Sequence, residues 1–251
     1  MEFEARIQID AAHVVLWVKG DAEETNLGVF QLPCRIPVLR HGKIDRITIE
    51  PVVKQNGIAS TRIAYPFYKV LTFENIYLAP DSVTAFDTLT TRYISRQAMK
   101  VAWQEFFEPG QNSIRLDTCV DRISNKPDTV LSDHGCGVVR VKKDQKYVNF
   151  WADTTFRVSD PTAYIYLEME YWSDFDFSVG FNNPQVNGGQ NEIRSAMTIY
   201  KNDRWNKIYI NLGRLWAWYN YYPDIRLYFT ILNNEGREGN LFLDNMKVVV
   251  K

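Results

Sequence analysis

The sequence predicts an all-β protein built from two β-sandwich domains. Apolar and polar residues alternate strictly through residues 163–171 and again through 174–181. This period of two is typical of a strand with one buried face. Several such runs, separated by clusters of turn-forming residues, favour an antiparallel sandwich. Residues 1–95 show no helical period, which extends the all-β prediction to the start of the chain.

Short strand-like segments follow one another through the N-terminal part of the chain. Asn56-Gly57 indicates a tight turn because both residues tolerate positive φ. Prolines are expected at strand edges and ends, where a missing N–H does least harm. The segments with strand character are 6–10, 13–18, 28–33, 35–39, 45–53, 60–65, 70–73, 76–78 and 82–91.

The alternation lapses around residues 93–100, a mixed polar run without Gly or Pro. We therefore place one domain at 1–95 and a second at 96–251, joined by a short and fairly stiff connection. Polar loops are expected at 124–134 and 182–191. The strands predicted for the second domain are 101–108, 113–117, 137–141, 147–151, 163–171, 174–181, 207–212, 225–232 and 240–250.

Composition excludes some classes of function. The net charge is −1 and Lys and Arg are scattered, so the chain lacks the basic footprint of a nucleic-acid-binding protein. No apolar stretch is long enough for a membrane span, and the first residues do not resemble a signal peptide. This fits either a cytoplasmic protein or the mature part of an exported one. Cys119 and Cys136 are either two buried thiols or a disulfide.

Three segments resemble a known family of domains. Residues 103–108 and 241–248 resemble the first and last strands of galactose-binding-like jelly-roll domains, which include carbohydrate-binding modules. Residues 166–171 are similar to a middle strand of such modules in bacterial cell-surface lipoproteins. The resemblance implies a jelly roll at 96–251, preceded by an Ig-like or prealbumin-like sandwich at 1–95. It also implies an extracytoplasmic place at the outer membrane, with membrane contact only through a lipid anchor upstream.

The resemblance further implies a structural calcium between the first and last strands, held by Asp244, Glu108 and Glu105. Asp244 shares strand parity with Met246 and Val248, so without a bulge it points inward. A buried carboxylate must be paired, hydrogen-bonded or metal-bound, and calcium prefers oxygen ligands. A β-bulge at Asp244-Asn245 would instead turn the carboxylate to water or to a turn amide.

Aromatic residues crowd into residues 215–222 and are the candidate ligand-binding residues. Trp and Tyr rings stack on the C–H faces of sugars, while neighbouring polar groups fix the hydroxyls. Alternatively, the two tryptophans share parity and pack in the core. Trp172 and Trp205 flank loops and are further candidates. The candidates within the cluster are Trp216, Trp218, Asn220, Tyr221 and Tyr222.

Catalysis is not predicted. Glu168 and Glu170 lie on one strand face about 7 Å apart by strand rise, a spacing that two glycosidase carboxylates also show. Alternating acids on a solvated face are the commoner case, and no catalytic motif occurs. We therefore expect a non-catalytic cell-surface protein that binds glycan. The alternative is an accessory or scaffold subunit of an outer-membrane complex, with the jelly roll contacting protein.

Overall fold

The computed structural model describes residues 13–19, 24–31, 34–39, 42–86, 91–108, 114–116, 120–123, 135–160, 162–184, 192–219 and 224–251. The chain divides into two compact units, 1–99 and 100–251, whereas the sequence places the boundary after residue 95. Strands make up nearly all of the regular structure described, which confirms the all-β fold class.

The strands described in the first unit form one antiparallel sheet of five, in the order β2-β1-β3-β4 with β5 also paired to β3. Ile44, Ile47 and Ile49 form its buried apolar centre. Residues 35–39 and 82–86 lie outside strands, contrary to expectation. The Ig-like or prealbumin-like sandwich stays a prediction. The strands are β1 (His13–Lys19), β2 (Glu24–Gln31), β3 (Gly42–Lys54), β4 (Arg62–Ala64) and β5 (Leu71–Leu78).

Pro51 lies inside β3, which corrects the expectation that prolines occur only at strand edges and ends. On one side of β3 it faces Val14 of β1. On the other side β5 pairs with β3 only as far as Ile49, and β4 begins pairing at Val52. The carbonyl of Pro51 accepts a hydrogen bond from the N–H of Tyr65. The missing N–H of proline therefore falls where the ladder changes from one partner strand to the next.

The second unit is a sandwich of two antiparallel sheets. One has the order β13-β12-β15-β10-β7; the other has the order β14-β11-β16-β9-β8, with β6 also paired to β16. The elements are β6 (Lys100–Glu105), β7 (Ile114–Leu116), β8 (Val120–Ile123), β9 (Cys136–Val141), β10 (Tyr147–Ala152), β11 (Ile165–Ser173), β12 (Phe177–Asn183), β13 (Glu192–Ile199), β14 (Asn206–Asn211), α1 (Gly213–Tyr219), β15 (Arg226–Leu232) and β16 (Gly239–Val250).

A single apolar core fills the space between the two sheets and draws on alternate residues of their strands. The rings of Phe150 and Phe229 stack there at 4.7 Å between centroids and 3° between planes. The jelly-roll sandwich predicted for this part of the chain is confirmed. Strands β8 and β13 were not predicted, and β13 lies largely exposed at a sheet edge, where alternation is weakly enforced.

Candidate functional site

The outward face of the sheet β13-β12-β15-β10-β7 combines aromatic and polar side chains. The alternate residues Phe150, Phe181 and Phe229 are buried in the core, so their neighbours point away from it. We call the resulting outward surface the aromatic face. Its members are Asn149, Trp151, Ser178, Gly180, Asn182, Arg226, Tyr228 and Thr230.

Trp151 and Tyr228 form the centre of the aromatic face. They are direct cross-strand partners on β10 and β15. Their ring centroids are 6.0 Å apart with 5° between the planes, and both side chains are half-buried. Gly180 of β12 is the partner of Tyr228 on its other side. A Cβ on Gly180 would collide with the backbone of Arg194 and Ser195, so β13 closes over this position beside the tyrosine.

Arg226 lies at one end of the aromatic rings. Its Nε donates a hydrogen bond of 2.8 Å to Oδ1 of Asn182, and its guanidinium carbon lies 5.0 Å from the ring centroid of Trp151. Partial burial lowers the pKa of Arg226, and the interaction with Tyr228 opposes that change. Asn182 is fully buried, and its Nδ2 has no hydrogen-bond partner among the described residues.

Short polar side chains occupy the other end of the rings. Oγ1 of Thr230 donates to Oδ1 of Asn149 at 3.0 Å. Ser178 and Thr198 share a hydroxyl–hydroxyl hydrogen bond of 3.1 Å across β12 and β13. These pairs fix side-chain positions and leave further hydroxyl and amide valences for a ligand. The aromatic face therefore offers flat apolar rings bordered by hydrogen-bonding groups on both sides.

The structure places the two tryptophans of the predicted aromatic cluster, Trp216 and Trp218, in different surroundings. Residues 213–219 form a helix, in which positions two apart point about 200° apart rather than sharing a face. Trp216 is 1% exposed and donates its Nε1–H to the carbonyl of Asp160 at 3.1 Å. A buried ring cannot stack on a ligand, so Trp216 is a core residue. Trp218 is 59% exposed, with the guanidinium carbon of Arg194 over its ring at 4.3 Å.

The remaining predicted ligand-binding residues lie elsewhere. Trp172 is half-buried on β11, with its ring centroid 5.5 Å from that of Phe242; the ring of Trp205 is 6.4 Å from the same phenylalanine. Phe242 pairs with Trp172 across β16 and β11, in the sheet opposite the aromatic face. Asn220, Tyr221 and Tyr222 lie outside the described residues.

The outward face of the other sheet holds a group of charges that we call the charged cluster: Glu168, Glu170, Lys207, Asp244 and Lys247. Cross-strand pairing places these residues side by side on β11, β14 and β16. Its three carboxylates are buried, so the prediction that Glu168 and Glu170 lie on a solvated face is wrong. Nζ of Lys247 is 3.8 Å from Oε2 of Glu168, and Nδ2 of Asn245 donates to Oε2 of Glu170 at 2.9 Å.

Burial and charge act against each other within the charged cluster. Burial lowers the pKa of Lys247, although Glu168 opposes this. Burial also acts to lower the pKa of Lys207, but its interactions with Tyr209, Glu168 and Glu170 outweigh that effect and raise it. A lysine that is held protonated beside buried carboxylates neutralises them. The arrangement is that of an ion-pair network.

The residues expected to hold calcium are divided between the two faces of one sheet. Asn245 has φ of 48° and forms a bulge opposite β11, so Asp244 turns outward to pair with Glu170. The inward orientation was expected only without a bulge, and the structure shows the alternative, a bulge at Asp244-Asn245. Glu105 pairs with Met246, a core residue, and its Oε1 accepts the N–H of Phe107 at 2.5 Å.

Within the described ranges, no three His, Cys, Asp or Glu side chains are grouped to hold a metal ion. Glu108 is half-buried just after β6. The calcium site stays a prediction.

Cys136 is buried, and Cys119 lies outside the described residues, so their pairing stays open. None of the helices in the described part of the chain has the length and apolarity needed to cross a membrane.

Sequence reasoning missed the aromatic face, although its residues were within reach. Trp151 ends a segment assigned to a strand, and Tyr228 lies in the middle of another. Phe150 and Phe229 are their apolar neighbours, and parity alone predicts that one ring of each pair points outward. The sequence does not show that β10 and β15 are partners, because this pairing joins segments far apart in the chain.

Comparison with known proteins gives likeness of fold alone. No family model matches the chain, and no curated protein matches it. The tailspike protein 4 enzymatically active domain of bacteriophage CBA120 has a TM-score of 0.38 and 14% identity, over 54% of this chain and 18% of that one. The xylan-binding domain from CBM 22 has a TM-score of 0.40 and 11% identity, over 60% of this chain and 94% of that one.

A third solved structure is the family 30 carbohydrate-binding module of a Clostridium thermocellum cellulosomal cellulase. Its TM-score is 0.41 with 13% identity, over 59% of this chain and 91% of that one. The chain thus spans nearly all of the two binding modules but less than a fifth of the tailspike chain. These likenesses do not identify a ligand or a site in this protein.

Proposed function

We propose that the second unit is a non-catalytic glycan-binding module and that the saccharide lies across the aromatic face. One observation carries the proposal: Trp151 and Tyr228 present nearly parallel, half-exposed rings, with hydrogen-bonding side chains on both sides. A pyranose ring has an apolar C–H face and a rim of hydroxyls, and this surface is complementary to both.

The sandwich positions the two rings before any ligand arrives. Trp151 and Tyr228 are neighbours on adjacent strands whose inward residues, Phe150 and Phe229, stack in the core. A ligand therefore does not have to order these strands, and little binding energy is lost to rearrangement. An arginine lies over each tryptophan ring, Arg226 over Trp151 and Arg194 over Trp218. Trp151 differs in having a parallel aromatic partner, Tyr228, on the neighbouring strand.

Isothermal titration calorimetry against a panel of neutral and acidic oligosaccharides tests the proposal. Truncating a central aromatic anchor costs about 2 kcal/mol or more, which is roughly 30-fold in Kd. We expect a loss of this size for Trp151→Ala and for Tyr228→Ala. Trp218→Ala is the matched control, an exposed tryptophan on α1 that should leave Kd unchanged. Folded protein that binds no member of the panel would overturn the proposal.

The proposal extends to the location of the protein. We place it on the extracytoplasmic side of a bacterial outer membrane, held by a lipid anchor, on the strength of the sequence resemblance alone. Protease added to intact cells should then digest it. If no saccharide binds and the protein instead co-purifies with a membrane complex, the scaffold function replaces the glycan-binding one.

A further inference from the structure

Arg226 is a cation on the aromatic face without an acidic partner in the described part of the chain. The ion pairs found there join other residues, and Arg226 forms none of them. Its contacts are Oδ1 of Asn182, reached through Nε, and the ring of Trp151. The cross-strand partner of Arg226 on β12, Asn182, and its diagonal neighbours Trp151 and Gly180 are uncharged. Asp153, two residues beyond Trp151 and just past the end of β10, is the acidic residue nearest to Arg226 in register, and none of the ion pairs of the described residues joins the two. A cation that is partly removed from water favours an anion at its free side.

The contact with Asn182 leaves part of the guanidinium group available. Arginine carries five N–H donors in a planar fork, and the hydrogen bond to Asn182 uses the one on Nε. The two terminal nitrogens can therefore donate hydrogen bonds to two oxygens of one carboxylate or sulfate group. The contact with the Trp151 ring and the hydrogen bond to Asn182 hold the guanidinium group in place. The arginine side chain therefore loses less conformational entropy when a ligand binds.

Asn182 supplies a second unused donor beside the first. It is the direct cross-strand partner of Arg226, is fully buried, and has an Nδ2 without an acceptor among the described residues. A buried donor that lacks an acceptor is unfavourable. Because Asn182 is closed to solvent, a ligand oxygen reaches this donor only if the side chains that cover it shift, and the accessible donors are those of the arginine fork.

We propose that the aromatic face binds acidic saccharides, whose sugar ring stacks over Trp151 and Tyr228 and whose carboxylate or sulfate contacts Arg226. The guanidinium carbon is 5.0 Å from the centroid of the tryptophan ring, so a substituent on a stacked sugar reaches it directly. This inference rests on the proposed function and adds the class of ligand. Uronic acids and sulfated sugars share the required chemistry.

Calorimetry on the full chain with three ligands tests this inference: an oligogalacturonide, its methyl ester as the matched neutral ligand, and a sulfated galacto-oligosaccharide. A hydrogen-bonded charge contact corresponds to about ten- to hundred-fold in Kd. We expect an anionic ligand to bind at least about tenfold more tightly than the methyl ester, with a preference that shrinks as salt rises. The tighter of the two anionic ligands identifies the acidic group.

Arg226→Gln should reduce the ratio of anionic to neutral affinity to about one. Arg226→Lys keeps the charge but loses the fork, and should give an intermediate ratio. Arg204→Gln is the control, since Arg204 is an exposed arginine between β13 and β14, and should leave the ratio unchanged. If Arg226→Gln does not fold, the lysine variant and the salt titration of the wild type still decide the question.

The possible failures are distinguishable. Equal affinity of the wild type for the acid and its methyl ester would overturn the preference for acidic ligands while the glycan-binding function stands. The preference is equally overturned if Arg226→Gln weakens binding of both ligands to the same extent, because the arginine would then act only by supporting the rings. Binding of none of the three ligands, nor of any glycan in the wider panel, would end the proposed function and this inference with it.

Discussion

The charged cluster makes a quantitative prediction about Lys247. Its Nζ is 3.8 Å from Oε2 of Glu168, and the two side chains are 17% and 0% exposed. At an effective dielectric constant of about 20, unit charges at this separation attract by about 4 kcal/mol. Lys247→Met leaves Glu168 buried with Lys207 as the remaining cation of the cluster. We expect a loss of about 3 kcal/mol in the free energy of unfolding, at the lower end of the range for breaking a buried pair.

Chemical denaturation followed by tryptophan fluorescence measures this loss. Trp17 is the only one of the seven tryptophans before residue 100, so the signal reports chiefly on the second unit. The double variant Lys247→Met/Glu168→Gln removes both charges and should recover much of the lost stability. Glu235→Gln, in an exposed ion pair with Arg237, is the control and should cost less than about 1 kcal/mol. A cost for Lys247→Met as small as that of the control, with an unchanged m-value, would refute the reasoning.

Two other predictions concern stability. Trp216→Ala should lower the free energy of unfolding by about 3–5 kcal/mol, whereas Trp218→Ala should lower it by less than about 1 kcal/mol. Chemical denaturation measures both. Similar losses for the two variants would contradict the conclusion that α1 buries Trp216 and exposes Trp218. Burial raises the pKa of Tyr166 to about 12, against the hydrogen bond from Asn211, while the pKa of the unfolded tyrosine stays near its ordinary value of 10.0. The stabilisation from neutral Tyr166 is thus complete below about pH 10 and is lost as pH rises towards 12. In alkaline denaturation, the free energy of unfolding of Tyr166→Phe should therefore fall less steeply over that interval than that of the wild type. Parallel plots of the free energy of unfolding against pH for the two proteins would contradict this.

The strands were predictable where burial enforces alternation. Residues 163–171 and 174–181 each have one face in the core, and β11 and β12 overlap them closely. Strand β13 was not predicted because most of its described side chains are exposed, so its sequence shows no alternation of apolar and polar residues. The outward orientation of Asp244 depends on the bulge at Asn245, which the sequence allows as an alternative but which parity does not fix.

The candidate site was less predictable than the fold. Trp216 and Trp218 drew attention because they are close in sequence, yet the helix separates their directions. The aromatic face depends on the pairing of β10 with β15, a long-range choice that local patterns do not encode. Glu168 and Glu170 look like solvated acids in sequence, and their burial depends on neighbours contributed by β14 and β16.

The long strand β3 has a consequence for how the N-terminal unit gains and loses its structure. Strands β1, β4 and β5 all take β3 as a partner, whereas β2 is held by β1 alone. In the described part of this unit, detaching β3 would leave a single two-stranded hairpin, which is marginally stable in water. The sheet should therefore assemble around one central strand and melt as a whole, rather than fraying strand by strand from its edges.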